Sequence, residues 1–252
     1  MRPVLRWGVI SVMLIIAGLV VLAFSRTWNK TEIDFLIHIN EELVQQSVFG
    51  ESPTFAIWLE DPDDGQTFTS YATRRVATGD WEGKKDVPVA LPLWSEINRT
   101  KKKHRSGNAG MAGEEIITTG ATPLPGYFRT RVSVKPGSKW ICWVEYNLAG
   151  DFNEAYPAFN PENNTEDEFS TGQPALLYRA EIEALIGRVA YPEIIGMCVI
   201  NKEGMVLVGP LTGITTAKDV FDEIIISVVK PKPRIIRKPE AANMHNIVSD
   251  VD

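Results

Sequence analysis

Ile33-Asp34-Phe35-Leu36-Ile37-His38-Ile39-Asn40 is the stretch from which the rest of this chain can be read. Apolar Ile33, Phe35, Ile37 and Ile39 alternate with Asp34, His38 and Asn40, which is the two-residue period of a strand with one face on a core and the other toward water. His38 is thereby a polar-face strand residue rather than a metal ligand. Further strands are read at residues 54–60, 67–77, 127–134, 139–147, 175–183, 195–201, 205–209 and 224–229. Turn-forming sequences separate several of these runs: Asp61-Pro62-Asp63-Asp64-Gly65, Lys135-Pro136-Gly137-Ser138 and Lys202-Glu203-Gly204. About nine short strands with hairpin-sized gaps and no sustained helical period predict an all-β fold, an antiparallel Ig-like β-sandwich.

From the first strand onward helix is scarce, expected at Glu41 to Val48 and in one turn at residues 215–221, capped by Thr215 or Thr216. Two polar insertions interrupt the strands. Ser95 to Glu115 carries Lys101-Lys102-Lys103-His104-Arg105, and Asn147 to Pro174 is rich in Asn and acid. The basic run would suit acidic lipid head groups or an acidic partner.

Ahead of the first strand, Arg2 and Arg6 precede an uncharged apolar run from Trp7 to Phe24, with Arg26 and Lys30 behind it. A run of about 18 residues is at the short end of what spans a bilayer as one helix and is long for a cleaved signal. It predicts one N-terminal transmembrane helix acting as a signal-anchor; Ala23-Phe24-Ser25 keeps a cleaved signal open as the alternative. Positive charge is balanced across the two flanks, and the free amino terminus tips orientation toward N-terminus inside. The domains are then 1–30 as anchor, 31–230 as an extracytoplasmic β-sandwich and 231–252 as a disordered tail, because Lys-Pro-Lys-Pro-Arg excludes helix and too few apolar residues follow to form a core. The expected location is the inner (cytoplasmic) membrane, single-pass, with the main domain in the periplasm.

The formal net charge of -6 gives no basis for holding nucleic acid. Two cysteines make no disulfide scaffold; Cys142 and Cys198 read as small buried hydrophobes that would bond only if their strands faced each other. The three histidines fall in a strand, a basic loop and the tail, so they form no paired metal site. No nucleophile elbow, phosphate-binding loop or zinc-protease motif is present. Asp151, Asn153 and Glu154, followed by further carboxylates and amides to Glu168, are the ligand types calcium prefers, although their spacing departs from the twelve-residue calcium loop. Thr119-Gly120-Ala121-Thr122 looks like the end of the acceptor motif for covalent FMN, in which a transferase esterifies the last threonine. An acidic residue or amide usually stands six positions before it, and here that position is Ile116.

A wider resemblance covers most of the exported part. Residues 55–61, Leu93-Trp94, the turn at 119–126, Trp143-Val144-Glu145-Tyr146-Asn147, Asp151-Phe152-Asn153-Glu154-Ala155-Tyr156-Pro157 and Gly172-Gln173-Pro174-Ala175 resemble, in one order, a family of predicted periplasmic, flavinylation-associated bacterial proteins of unknown function. The resemblance implies a β-sandwich behind a signal or anchor, found beside flavin transferases and membrane flavoproteins of extracytosolic electron transfer. It supplies no catalytic residues. The expected role is a non-catalytic accessory protein whose partner surface includes Trp58, Trp94, the 119–122 turn and the loop to Tyr156. The alternatives are a flavoprotein with FMN on Thr122 and a calcium-dependent carbohydrate or adhesion module.

Overall fold

A computed structural model describes residues 3–25, 27–78, 80–81, 84–85, 90–107, 118–120, 122–162, 164–200, 204, 206–233 and 241–243. Helix α1 (Pro3–Ser25) is followed by β1 (Thr31–Ile39), α2 (Glu41–Gln46), β2 (Thr54–Glu60), β3 (Thr67–Thr73) and α3 (Arg74–Thr78). The ribbon β4 (Asp80–Trp81) and β5 (Lys84–Lys85) leads to α4 (Pro92–Gly107), β6 (Thr118–Gly120), β7 (Gly126–Val134) and β8 (Lys139–Asn147). A second ribbon, β9 (Phe159–Asn160) and β10 (Thr165–Glu166), precedes β11 (Ala175–Glu183), β12 (Val189–Ala190), β13 (Glu193–Ile200) and β14 (Val206–Gly209). A 3-10 turn (Thr216–Asp219), β15 (Phe221–Val229) and β16 (Ala241–Asn243) complete the order.

Two large sheets face each other, one ordered β12-β15-β1-β7-β16 and the other β14-β13-β11-β8-β2-β3-β6. Every pairing in them is antiparallel except β3 with β6. The expected sandwich is present. Between the sheets lies the main core, to which β1 contributes Ile33, Phe35, Ile37 and Ile39, all fully buried, and β8 contributes Cys142, Val144 and Tyr146. A chain that alternates apolar and polar residues can bury one face of a sheet in this way and no more.

The seven-stranded sheet, however, is covered on both sides. Ala56, Trp58, Ala72, Ala175, Leu177 and Cys198 on its outer face form a second core with Leu91 and Trp94 at the start of α4. That is why β2 is buried at six consecutive positions, a pattern of strands sandwiched between two layers. Helix α4 occupies much of the insertion read as a polar loop. Pro92 stands just inside its start, where a missing N–H costs nothing, and Leu93, Trp94 and Ile97 turn inward.

Three other expectations need correction: the end of one strand, the threonine cap and the tail. The strand expected over 67–77 stops at Thr73, where α3 begins. At the 3-10 turn neither threonine caps the backbone: Thr215 makes no side-chain cap bond, and the Thr216 hydroxyl is turned toward Asp151 instead. The tail is not wholly without structure, because β16 pairs with β7; residues 234–240 and 244–252 lie outside the described residues. Cys142 and Cys198 are free thiols. They lie in different cores on opposite faces of one sheet, so strand neighbourhood through β11 brings no bond. Among the described residues no helix is long and apolar enough to cross a membrane. The side chains of residues 3–6, 8 and 9 are outside that description.

On the outer face of the five-stranded sheet, Asp34 is almost completely buried and is held by Arg129 through paired bonds of 2.6–2.9 Å and by Arg131 at 3.1 Å. His38 stays on the polar face as expected, half-buried, with Nδ1 2.6 Å from Asp222 and its ring against Tyr127.

Candidate functional site

The connection from β8 to β11 is long, and its polar residues fix it to the sandwich. Asp151 accepts hydrogen bonds from Gln173 Nε2 at 2.7 Å and from the Thr216 hydroxyl at 2.7 and 2.9 Å. Gln173 Oε1 in turn accepts the Thr215 amide at 2.7 Å, and the Asp151 carbonyl accepts the Gln173 amide at 2.9 Å. Asn153 uses both ends of its amide: Oδ1 accepts from the Tyr156 N–H, and Nδ2 donates to the Gly213 carbonyl and the Thr215 hydroxyl. Tyr156 donates its hydroxyl to the Thr212 carbonyl at 2.8 Å. Asp167 gathers the Thr171 hydroxyl and the Gly172 and Phe169 amides.

Gly172 is the pivot of this arrangement. Its φ is +67°, and a Cβ there would sit 2.6 Å from the Asp151 carbonyl oxygen. Gly172→Ala is expected to lower the unfolding free energy by about 2 kcal/mol, from left-handed backbone strain plus displacement of the loop. Chemical denaturation measures it, and a loss below a few tenths would show that the close approach carries no strain.

The fixed loop leaves a cleft of about 360 Å³ between itself, the end of β13 and the start of α4. Pro92, Tyr156, Thr165, Asp167, Cys198 and Ile200 are among its walls. Beneath Cys198 lies Glu145, fully buried on the outer face of β8. Its carboxylate accepts the amides of Leu93 at 3.0 Å and Trp94 at 2.7 Å, so it caps the N-terminus of α4 from another strand. Burial raises its pKa to about 7 from an ordinary 4.5, against the pull of those two amides and of the Cys198 thiol. Burial also pushes the Cys198 thiol up, and the neighbouring carboxylate adds to the rise. A thiol so placed stays protonated and is a poor nucleophile. Asp151 is raised by burial too, with the Thr216 and Gln173 bonds opposing.

Several expected site residues end up elsewhere. Trp58 and Trp94 are each 1 % exposed, in the second core, so neither offers a surface to a partner. Trp58 stacks on Trp143, and Trp94 Nε1 donates to the Thr69 hydroxyl at 3.3 Å. Trp143, half-buried, lies beneath the Arg179 guanidinium and donates to Glu60. Trp140, of opposite parity, packs on the main core, as the strand period requires. Tyr156 does line the cleft.

Thr119 and Gly120 belong to β6, at the opposite edge of the seven-stranded sheet from β13 and β14. Five strand spacings, or about 24 Å, separate β6 from β13, whose Met197 the Tyr156 hydroxyl touches. Thr122 is half-buried in the connection to β7, and Ala121 lies outside the described residues. Asp151 and Asn153 are committed to the loop's own bonds and Glu154 is exposed. Among the described residues no group of three or more His, Cys, Asp or Glu is placed to hold a metal ion.

Glu145 escaped notice in the sequence. Its signal was a single carboxylate inside Trp143-Val144-Glu145-Tyr146, a run too apolar to leave it in water. Comparisons with family models, with curated proteins and with solved structures returned no match.

Proposed function

We propose that this chain is a membrane-anchored, extracytoplasmic Ig-like β-sandwich that acts as a non-catalytic binding module, presenting the cleft beside Tyr156 to a partner in a flavin-based electron-transfer assembly. One observation carries the binding role: Tyr156, Asp167 and Thr171 on the cleft wall are committed to internal hydrogen bonds that shape it, and its thiol is held protonated. Such a site is preformed for contact. The anchor is supported by the uncharged run Trp7–Phe24 and by the side chains of α1, of which Met13, Leu14 and Val21 are each about two-thirds exposed. Apolar surface of that extent is costly in water and natural in lipid. The partner class rests on the motif resemblance, from Trp143-Val144-Glu145-Tyr146-Asn147 to Gly172-Gln173-Pro174-Ala175.

A photoreactive residue in place of Asn160, on the cleft wall, tests the proposal in membranes of cells that also express a flavin transferase. The expected product is a cross-linked adduct that shows flavin fluorescence in the gel. Fluorescence on the uncross-linked chain that vanishes in Thr122→Ala would replace this reading with a flavoprotein. Adducts without flavin would remove the electron-transfer partner.

A further inference from the structure

The end of the sandwich from which α1 departs gathers exposed apolar, aromatic and basic side chains. Thr31 of β1 pairs with Val134 of β7, and Glu32 with Val229 of β15, so the start of β1 and the ends of β7 and β15 lie together. The loop after β11 is held at this same end. The Gly187 amide donates to the Val228 carbonyl, the Ala184 amide to the Ser138 carbonyl, and Val189 pairs with Ser227.

This loop exposes large apolar side chains: Leu185 at 42 %, Ile186 at 64 %, Val189 at 51 % and Tyr191 at 70 %. Trp28, between α1 and β1, is 80 % exposed. Around them stand exposed Lys30, Lys135, Arg188 and Lys230. Aliphatic tips, one Trp, one Tyr and a fringe of cations are the side chains that settle at the boundary between lipid head groups and acyl chains.

The tether allows it. Five residues separate Ser25 from Thr31, so the strand's start lies no more than about 20 Å from the helix's end. Two backbone bonds, from the Thr27 amide to the Phe24 carbonyl and from the Lys30 amide to the Thr27 carbonyl, shorten that reach.

We infer that the sandwich docks end-on against the membrane, with Trp28, Leu185, Ile186, Val189 and Tyr191 in the head-group layer of an anionic bilayer. The inference rests on the anchored reading of α1. Docking is tilted: the acidic turn after β2, with exposed Asp63 and Asp64, is at this end too, because Glu60 pairs with Ile141, but under the other sheet. That side stays in water.

The full chain in vesicles of equimolar zwitterionic and anionic phospholipid tests the geometry with nitroxide labels at four introduced thiols, one per sample. Cys142 and Cys198 are buried, so each introduced thiol is the accessible one. Leu14→Cys reports the anchor, Ile186→Cys the docking loop, Asp64→Cys the acidic side and Leu207→Cys the far end. Collisions with oxygen and loss of collisions with a water-soluble nickel chelate are expected at positions 14 and 186, and nickel collisions at 64 and 207. An immersed label at 14 with a label at 186 as open to nickel as the one at 207 would overturn docking while the anchor stands. A label at 14 open to nickel would overturn the anchor, and the docking inference with it.

Discussion

Glu145→Ala is expected to lower the unfolding free energy by about 4 kcal/mol at pH 5 and by only about 1 kcal/mol at pH 8. The substitution strands the Leu93 and Trp94 amides, both at the buried start of α4, without acceptors. Each unpartnered donor costs about 1–3 kcal/mol, and the emptied space adds to that. The pH dependence has the opposite origin. In the fold the carboxyl holds its proton up to about pH 7, against an ordinary 4.5. A carboxyl whose folded pKa is raised contributes stability that is complete below about pH 4.5 and is lost as pH rises toward 7. Over that interval the loss is about 3 kcal/mol. The wild-type chain therefore has less to lose at pH 8. Urea denaturation of both forms at the two pH values measures the difference, with Glu145→Gln as the non-ionising control. An equal cost at both pH values would mean that Glu145 is already charged throughout.

Phe55→Ala is expected to cost about 4 kcal/mol irrespective of pH. Phe55, on β2, meets Phe128 of β7 and Phe221 of β15 edge-on, at 5.1 and 5.4 Å, and tilts against Tyr71 of β3 at 5.1 Å. One ring thus joins both sheets at the centre of the main core. Removing it opens a cavity that two rigid sheets cannot collapse to fill, the circumstance in which a Phe-to-Ala change reaches the top of its usual range. Phe55→Leu should recover more than half of the loss. A cost under 1 kcal/mol for the alanine variant would show that the sheets close over the gap.

The strand pattern was legible because alternation, and short apolar runs between turn residues, are local properties. Residues 54–60, 139–147 and 175–183 are strands with the bounds that their apolar residues imply. What alternation cannot announce is a second covering layer. Trp58 and Trp94 read as candidates for an exposed patch because nothing nearby in sequence says that α4 closes over the outer face. The helix itself was obscured by its polar second half, Lys101 to Arg105, although Pro92 followed by Leu93, Trp94 and Ile97 carried the signal.

The site was legible in one loop. Asp151, Asn153 and Tyr156 are where the sequence concentrates polar chemistry, but their bonds run to Gln173 and to residues 212–216, partners that only the fold supplies. Counting donors and acceptors in such a loop cannot distinguish a ligand site from a fastening.

The placement of β1 in the middle of its sheet has a consequence for the order in which the chain assembles. Its two neighbours are β7 and β15, and the His38–Asp222 contact across the second pairing closes a separation of 184 residues. The first strand in the chain cannot pair on both edges until almost the whole chain is available to complete the sheet. Closure over such distances slows folding and leaves an unpaired edge open to other chains meanwhile. The seven-stranded sheet has a more local start, since β2 with β3 and β13 with β14 are hairpins. This sheet can form early and serve as a template for the five-stranded one.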